Sequence, residues 1–239
     1  MSESSITSPV YRRPGEGVKA LVAGATGVAG QSLVDALVTH GWEVVAISRS
    51  IAHDPRPEVT ALPVDLADVQ MVADALEPHR ITHLFYAVQY RDKIARSANV
   101  TDLKKLRRQL HLAGRCLPWI SIIPGAKSAL YRKVASESGA GDPNEMNLRF
   151  FRNLIEILET DSHDLRHVAL ITGGKHYGMH LGPALYPEYR SVYREDDPRA
   201  PGPNWYYQIE DFIAAHQPTW SWTVFRPSFI GQADLPDAR

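Results

Sequence analysis

Lys19-Ala-Leu-Val-Ala-Gly24-Ala-Thr-Gly27-Val-Ala-Gly30 is the stretch on which the reading of this chain turns. Its first half is a short apolar run ended by a glycine, the form of a buried strand. From Val28 to His40 an amphipathic pattern follows, with Ala29, Leu33, Ala36 and Leu37 on one helical stripe, and Gly41 supplies a stop. Three glycines therefore fall between a strand and a helix, and each meets a physical need there. Gly24 permits the tight turn, Gly27 lets backbone approach a diphosphate, and Gly30 lets the helix pack close to the sheet. The helix N-terminus offers unpaired N–H groups and a partial positive charge to the phosphates. Thr26 and Val28 complete the loop.

Outward from this loop the chain alternates strand and helix. Glu43 to Ser48 and Val59 to Val64 read as strands, Asp68 to Leu76 as a helix closed by Pro78, and Ile81 to Ala87 as a fourth strand. Glu145 to Glu159 is a strong helix, with Phe151, Leu154, Ile155 and Leu158 on one face. Arg166 to Thr172 is the next strand. After a Pro- and Tyr-rich loop, Tyr206 to His216 reads as a helix and Trp220 to Phe225 as a last strand. Apolar strands alternating with helices imply an α/β fold, a Rossmann-type doubly wound parallel sheet covered on both faces. Residues 1–17 are expected to be a disordered leader. Residues 18–239 form the dinucleotide-binding domain, with a basic insertion at about 91–142.

Bulk properties exclude several classes. The 239 residues carry a formal net charge of −1, which exerts no general pull on nucleic acid or anionic membranes. No apolar run approaches a membrane span, and no apolar signal core stands at the start, so a cytoplasmic protein is expected. A single cysteine, Cys116, forbids an intramolecular disulfide and suits a reducing compartment. The histidines show no trusted metal spacing: His176 and His180 are four apart without a third ligand. Trp220 and Trp222 alternate along a strand and read as core. A homodimer is admissible.

The end of the second strand should choose the nucleotide. Ile47 is followed by Ser48-Arg49-Ser50, with no carboxylate until Asp54. Arg49 can pair a 2′-phosphate through its planar fork, which favours NADPH, or it can be a solvated arginine. Asp65, beside Leu66, can accept from the adenine amine or cap a helix. Ala87 and Val88, ending the fourth strand, would lie beneath the cofactor.

Further segments add a resemblance. Thr82-His-Leu-Phe-Tyr86, Asn147-Leu-Arg-Phe-Phe-Arg-Asn153, Leu165-Arg-His-Val-Ala-Leu-Ile-Thr-Gly-Gly-Lys-His-Tyr177, Gly202-Pro-Asn-Trp-Tyr-Tyr-Gln-Ile-Glu-Asp211 and Trp222-Thr-Val-Phe-Arg-Pro227 resemble the extended and atypical short-chain dehydrogenase/reductases, in particular progesterone 5β-reductase and iridoid synthase-like proteins. The usual Tyr-x-x-x-Lys spacing is absent. The resemblance implies instead that Lys175 and Tyr207 form the catalytic pair, with Thr172, Pro227 and Ile230 near the nicotinamide end and Tyr177 on the substrate side. It implies NADPH-dependent reduction of an activated C=C or C=O bond in a small apolar carbonyl compound. Tyrosine would supply a proton or hydrogen bond to the developing oxyanion, and the lysine ammonium would lower the tyrosine pKa.

Two departures temper that expectation. The basic stretch, from Lys93 to Lys133, interrupts the pattern after the fourth strand; its sparse aromatics argue against a nucleic-acid role. A substrate-binding lobe is implied beyond the Arg226-Pro227 loop, whereas this sequence ends soon after, at Leu235-Pro-Asp-Ala-Arg239. A site open to water would hamper the reaction. A protein that holds NADP as sensor or scaffold is therefore the alternative. A sugar-nucleotide epimerase or dehydratase, which wants NAD and the Tyr-x-x-x-Lys pair, ranks third.

Overall fold

The computed structural model describes residues 18–90, 142–160, 162–179, 190 and 192–231. The leader, Cys116, His180 and the basic stretch up to residue 141 lie outside the described residues. The elements follow the expected alternation: β1 (Lys19–Ala23), α1 (Val28–Thr39), β2 (Glu43–Ser48), β3 (Val59–Pro63), α2 (Val69–Leu76), β4 (His83–Tyr86), α3 (Pro143–Leu158), β5 (His167–Ile171), α4 (Trp205–His216) and β6 (Ser221–Phe225). One sheet has the order β3-β2-β1-β4-β5-β6. β1 pairs in parallel with β2 and with β4, and β2 with β3. This is the Rossmann order, and its reversal lies between β1 and β4.

By packing, the chain divides into two compact units. The first runs to Ala87 and takes in Ile157–Ala169 and Trp220–Thr223; the second takes Val88–Glu156, Leu170–Thr219 and the chain from Val224.

In the first unit, Ala20, Leu21, Val22 and Ala23 are all fully buried, as a central parallel strand requires. One core cluster joins Ala20, Val22, Val44, Ala46 and Val59 of the strands to Ala25, Val34 and Leu37. The buried face of α1 is Gly30, Val34 and Leu37. The face is therefore rotated from the expected stripe: Leu37 holds, Ala29 and Leu33 are half-buried, and Ala36 faces solvent. Helix α2 starts at Asp68, whose carboxylate accepts from Met71 N at 3.0 Å. Trp220 is core, its indole N–H donating to Glu159 Oε1 at 2.7 Å. Trp222 is not: it stands 40% exposed, because β6 is the last strand of the sheet.

Four histidines gather where the chain enters β4 and β5: His79, His83, His163 and His167. Burial lowers the pKa of each from its ordinary 6.5. His163 also accepts from Ile81 N through Nδ1, at 3.4 Å, which requires the unprotonated nitrogen. The folded state therefore binds these protons later than the unfolded chain. Their stability contribution is complete above the unfolded value near 6.5 and is lost as pH falls below it. Thermal melts should hold steady from pH 8 to 7 and drop progressively toward pH 5. The carboxyls held below their ordinary values, Asp54, Asp164 and Glu210, lose their contribution at lower pH than this window. A melting temperature flat from pH 7 to 5 would refute the assignment.

In the second unit, Phe151, Leu154 and Ile155 of α3 are completely buried. Asn147, also buried, exchanges hydrogen bonds with the backbone of Tyr90: its Oδ1 accepts from Tyr90 N at 2.7 Å and its Nδ2 donates to Tyr90 O at 3.2 Å. Among the described residues, no helix is long and apolar enough to cross a membrane.

Candidate functional site

The glycine loop has the geometry of an anion cradle. Gly24 takes φ +84°, a left-handed conformation that disfavours any side chain. Its N–H and that of Ala25 donate to Ile47 O at 3.0 and 3.2 Å, which pins the turn to β2. A methyl group built on Gly30 would stand 2.1 Å from Gly24 O and 2.8 Å from Ala25 Cα. On Gly27 it would meet Gly24 O at 3.3 Å. Helix α1 therefore begins closer to the loop than any side chain at position 30 would allow. Gly27, its N-cap, gives no side-chain hydrogen bond, and no acid stands in the first turn. The leading N–H groups and the positive end of the helix dipole stay available to an anion. Thr26, Gly27 and Val28 are exposed there. A dinucleotide's diphosphate fits this donor set.

At the end of β2, Ser48 and Thr26 share a hydroxyl–hydroxyl hydrogen bond of 2.7 Å. Arg49 is exposed and enters no ion pair among the described residues. The nearest following carboxylate, Asp54, is taken by Arg56 at 2.6 Å, and Arg56 reaches Asp35 at 2.7 Å as well. The Arg56 guanidinium thereby holds the Asp54 carboxyl down at about 2. Asp65 accepts from Ala67 N at 3.0 Å in a local turn, while Asp68 is the residue that caps α2; Leu66 is buried. The Ala87 N–H donates to Ala23 O at 2.9 Å, extending the β1–β4 pairing to the loop's own level.

The second unit builds a cluster on the turn after β5. Thr172 is held at Phe225 O through both its N–H (2.9 Å) and its hydroxyl (3.1 Å), and Gly174 N donates to Pro227 O at 2.9 Å. The chain then makes a single 3-10 turn, Gly174–Tyr177, which leaves Lys175 exposed and buries His176 and Tyr177. Helix α4 is fastened to this turn from its first residue. Asn204, the N-cap, accepts from Tyr206 N at 3.1 Å, and its amide donates to Lys175 O at 3.3 Å.

The structure assigns the two adjacent tyrosines different places. The Tyr207 hydroxyl donates to His176 O at 2.6 Å and lies 3.2 Å from Ala200 O. Burial pushes its pKa up, against the opposing pull of Asn204 and the Ala200 backbone. The Tyr207 hydroxyl is thus engaged by backbone beneath the Lys175 turn. Tyr206 is buried, and its hydroxyl lies 3.4 Å from where a methyl on Gly173 would stand. It is the tyrosine whose oxygen comes up against the strand end that leads to Lys175.

Beneath lies a charged network that sequence reasoning did not single out. The Glu210 carboxylate accepts from Arg226 Nη2 through both oxygens, at 3.2 Å each, and from Arg199 Nη2 at 3.2 Å. His176 Nδ1 stands 3.4 Å from Glu210 Oε1, without the geometry of a hydrogen bond. Burial alone would raise the Glu210 pKa; His176 and Arg226 outweigh it and hold the carboxyl below its ordinary value. Arg226 also donates to the Tyr177 hydroxyl at 3.3 Å, and Tyr177 stacks on Tyr193 at 5.3 Å. His176 is buried in this network, and among the described residues no group of three metal-ligating side chains occurs. Tyr177 is buried in this network. Val88 is half-buried, Pro227 lends its carbonyl to Gly174, and Ile230 is 40% exposed. A signal for Glu210 was present: Asn204, Tyr207 and Glu210 recur every third residue, so they neighbour one another along the helix.

Residues 20–116 match the model of the NAD dependent epimerase/dehydratase family. Over 89 residues, 36% of this chain and 22% of the relative, the sequence is 40% identical to the short chain dehydrogenase gsfE of Penicillium aethiopicum. Across 88% of the chain it is 26% identical to the (S)-8-oxocitronellyl enol synthase CYC1 of Camptotheca acuminata, of which 44% is covered. It is 27% identical, again across 88%, to the 3-oxo-Delta(4,5)-steroid 5-beta-reductase of Arabidopsis thaliana, of which 46% is covered. The chain thus spans less than half the length of these curated relatives. In fold it is similar to the UDP-glucose 4-epimerase of Thermus thermophilus solved with NAD, at a TM-score of 0.55 and 17% identity, covering 87% of this chain and 54% of that one.

Proposed function

From the match of residues 20–116 to the NAD dependent epimerase/dehydratase family, we propose that this chain is an NADPH-dependent oxidoreductase that reduces an activated C=C or C=O bond in a small apolar carbonyl compound. The observation that carries the reading is the cradle at Gly24–Gly30, closed to any side chain at position 30 and left uncapped at the helix start. When bound, a reduced nicotinamide supplies hydride; the protein supplies position and charge. The N–H groups at the start of α1 would hold the diphosphate. Arg49, with Ser48 and Thr26, would receive a 2′-phosphate. The following carboxylate, Asp54, is committed to Arg56 and does not serve a 2′-hydroxyl.

Three further groups of interest follow the carboxyl end of a strand, where sheets of this order bind their ligands. Ala87 follows β4, Lys175 follows β5, and Arg226 with Pro227 follows β6. Lys175 would offer a positive charge to the cofactor ribose and to the oxygen that becomes anionic. The hydroxyl that donates to that oxygen is assigned to Tyr206, in place of Tyr207, because Tyr207 spends its proton on His176 O. The names of the relatives support a reductase of conjugated carbonyl compounds, a 3-oxo-Δ4,5 steroid being one such.

The test is a fluorescence titration with NADPH and with NADH, joined to an NADPH-oxidation assay on a panel of small enones. Wild type should prefer NADPH. Arg49→Ala should weaken NADPH about 10- to 100-fold, the worth of a charge-assisted contact, and leave NADH unchanged. Binding with no turnover on any enone would favour a nucleotide-holding sensor or scaffold, and no binding of either nucleotide would remove the reading altogether.

A further inference from the structure

We propose that Glu210 is a positioning residue whose buried carboxylate locks the Lys175 turn and the Arg226–Pro227 loop onto the helix that carries Tyr206.

Glu210 is only 5% exposed, and carboxylates are seldom buried so far unless paired. Its partners come from three separate stretches. Arg226 belongs to the loop after β6, His176 to the Lys175 turn, and Arg199 to the segment leading into α4. The facing groups beyond these are Tyr177, which receives from Arg226, and Tyr207, whose ring lies 4.9 Å beneath the Arg199 guanidinium; Asp211, on the exposed side, takes the other end of Arg199 at 2.6 Å. The backbone echoes the same links: Gly174 N to Pro227 O, Ala200 N to His176 O, and Asn204 to Lys175 O. A hydrophobic residue of similar size would fill the space. It would not hold three chain segments in one register, and that is the use for which a buried ionic hub is best attested. Through these ties Glu210 fixes where the Lys175 ammonium and the Tyr206 hydroxyl stand, without touching substrate.

This assignment rests on the proposed roles of Lys175 and Tyr206, and its test separates the two. Glu210→Gln keeps the shape and removes the charge; Arg226→Lys loosens the same link from the other side, giving up the fork by which Nη2 meets Glu210 while Nη1 meets Tyr177; Asp211→Asn is the exposed control. On the full chain, hydrogen exchange should quicken at least about tenfold in 173–178 and 226–228 for the first two variants, and stay unchanged in β1 and α1. NADPH affinity should fall only a few-fold, through the displaced Lys175, KM for the enone should change little, and kcat should fall on the order of 10²-fold, as misplacement of catalytic groups by about 1 Å does. Glu210→Asp, which restores the charge one methylene short, should recover part of kcat. Exchange that quickens evenly over the whole protein, or not at all, would overturn the proposal by reducing Glu210 to an element of general stability. Absence of turnover in wild type would count against the reductase reading, and the exchange pattern would still decide the role of Glu210.

Discussion

Gly30→Ala is expected to abolish nucleotide binding and to weaken the fold at once. The added methyl would lie 2.1 Å from Gly24 O, deep inside van der Waals contact, and the obstacle is backbone that is itself pinned to Ile47 O. No rotamer relieves this. Either α1 retreats from the sheet or the loop opens, and both spread the N–H groups that would hold a diphosphate. Losing two such charge-assisted bonds, at about 1.5–3 kcal/mol each, weakens NADPH at least on the order of 100-fold. Overpacking of the α1–β1 contact should cost roughly 1–3 kcal/mol of stability besides. Gly27→Ala, whose methyl meets the same oxygen at 3.3 Å, should fall between this and wild type. Gly41→Ala serves as control: nothing lies within 4 Å of its Cβ, so only its φ of +77° is penalised and binding should persist. Calorimetric titration of the three variants, with thermal melts, reads both effects. Wild-type NADPH affinity in Gly30→Ala would show that the cradle holds nothing.

The loop was legible because three independent requirements fall on one short segment. A central parallel strand must be apolar on both faces, so β1 reads plainly; a glycine must end it; and a second must sit where helix meets sheet. The face of α1 was harder. Its apolar arc is wide, with Ala29, Leu33, Val34, Ala36, Leu37 and Val38 opposite Gln31, Ser32, Asp35 and Thr39, so periodicity alone left the direction within that arc open. What fixes it is the contact made at Gly30, which rotates Val34 inward and Ala36 out. Trp222 was misread for a different reason. Alternation along a strand tells which residues share a face, but not whether the strand is central or the last in its sheet. Burial at β6 depends on strand order, which arises from pairings distant in sequence.

Glu210 illustrates a third kind of gap. A charged residue on an amphipathic helix ordinarily faces water, and little within α4 says otherwise. Its burial depends on Arg226, sixteen positions later, and on Arg199 and His176 before it. The regular spacing Asn204, Tyr207, Glu210 carried a hint that these side chains serve a common surface. By the same logic the neighbouring Tyr206 points about 100° away, toward Gly173.

That rotation makes the pair Tyr206→Phe and Tyr207→Phe the sharpest test of the proposed chemistry. Tyr206→Phe removes the hydroxyl beside the strand end that leads to Lys175. If this oxygen donates to the developing oxyanion, kcat for enone reduction should drop about 10²- to 10⁴-fold, with NADPH affinity intact. Tyr207→Phe removes a strut instead. His176 O keeps its bond from Ala200 N at 3.0 Å, so the loss is one buried hydrogen bond, about 1 kcal/mol. The melting temperature should fall by a few degrees and kcat by much less than in the first variant. Their pH profiles should differ in the same sense. Burial holds the Tyr207 hydroxyl above its ordinary range, so its removal should leave the profile between pH 6 and 9 unchanged. Steady-state kinetics on the two variants decides the matter. The opposite ranking, with Tyr207→Phe inactive and Tyr206→Phe near wild type, would mean that the backbone carbonyls release the Tyr207 proton during turnover and that Tyr206 is packing alone.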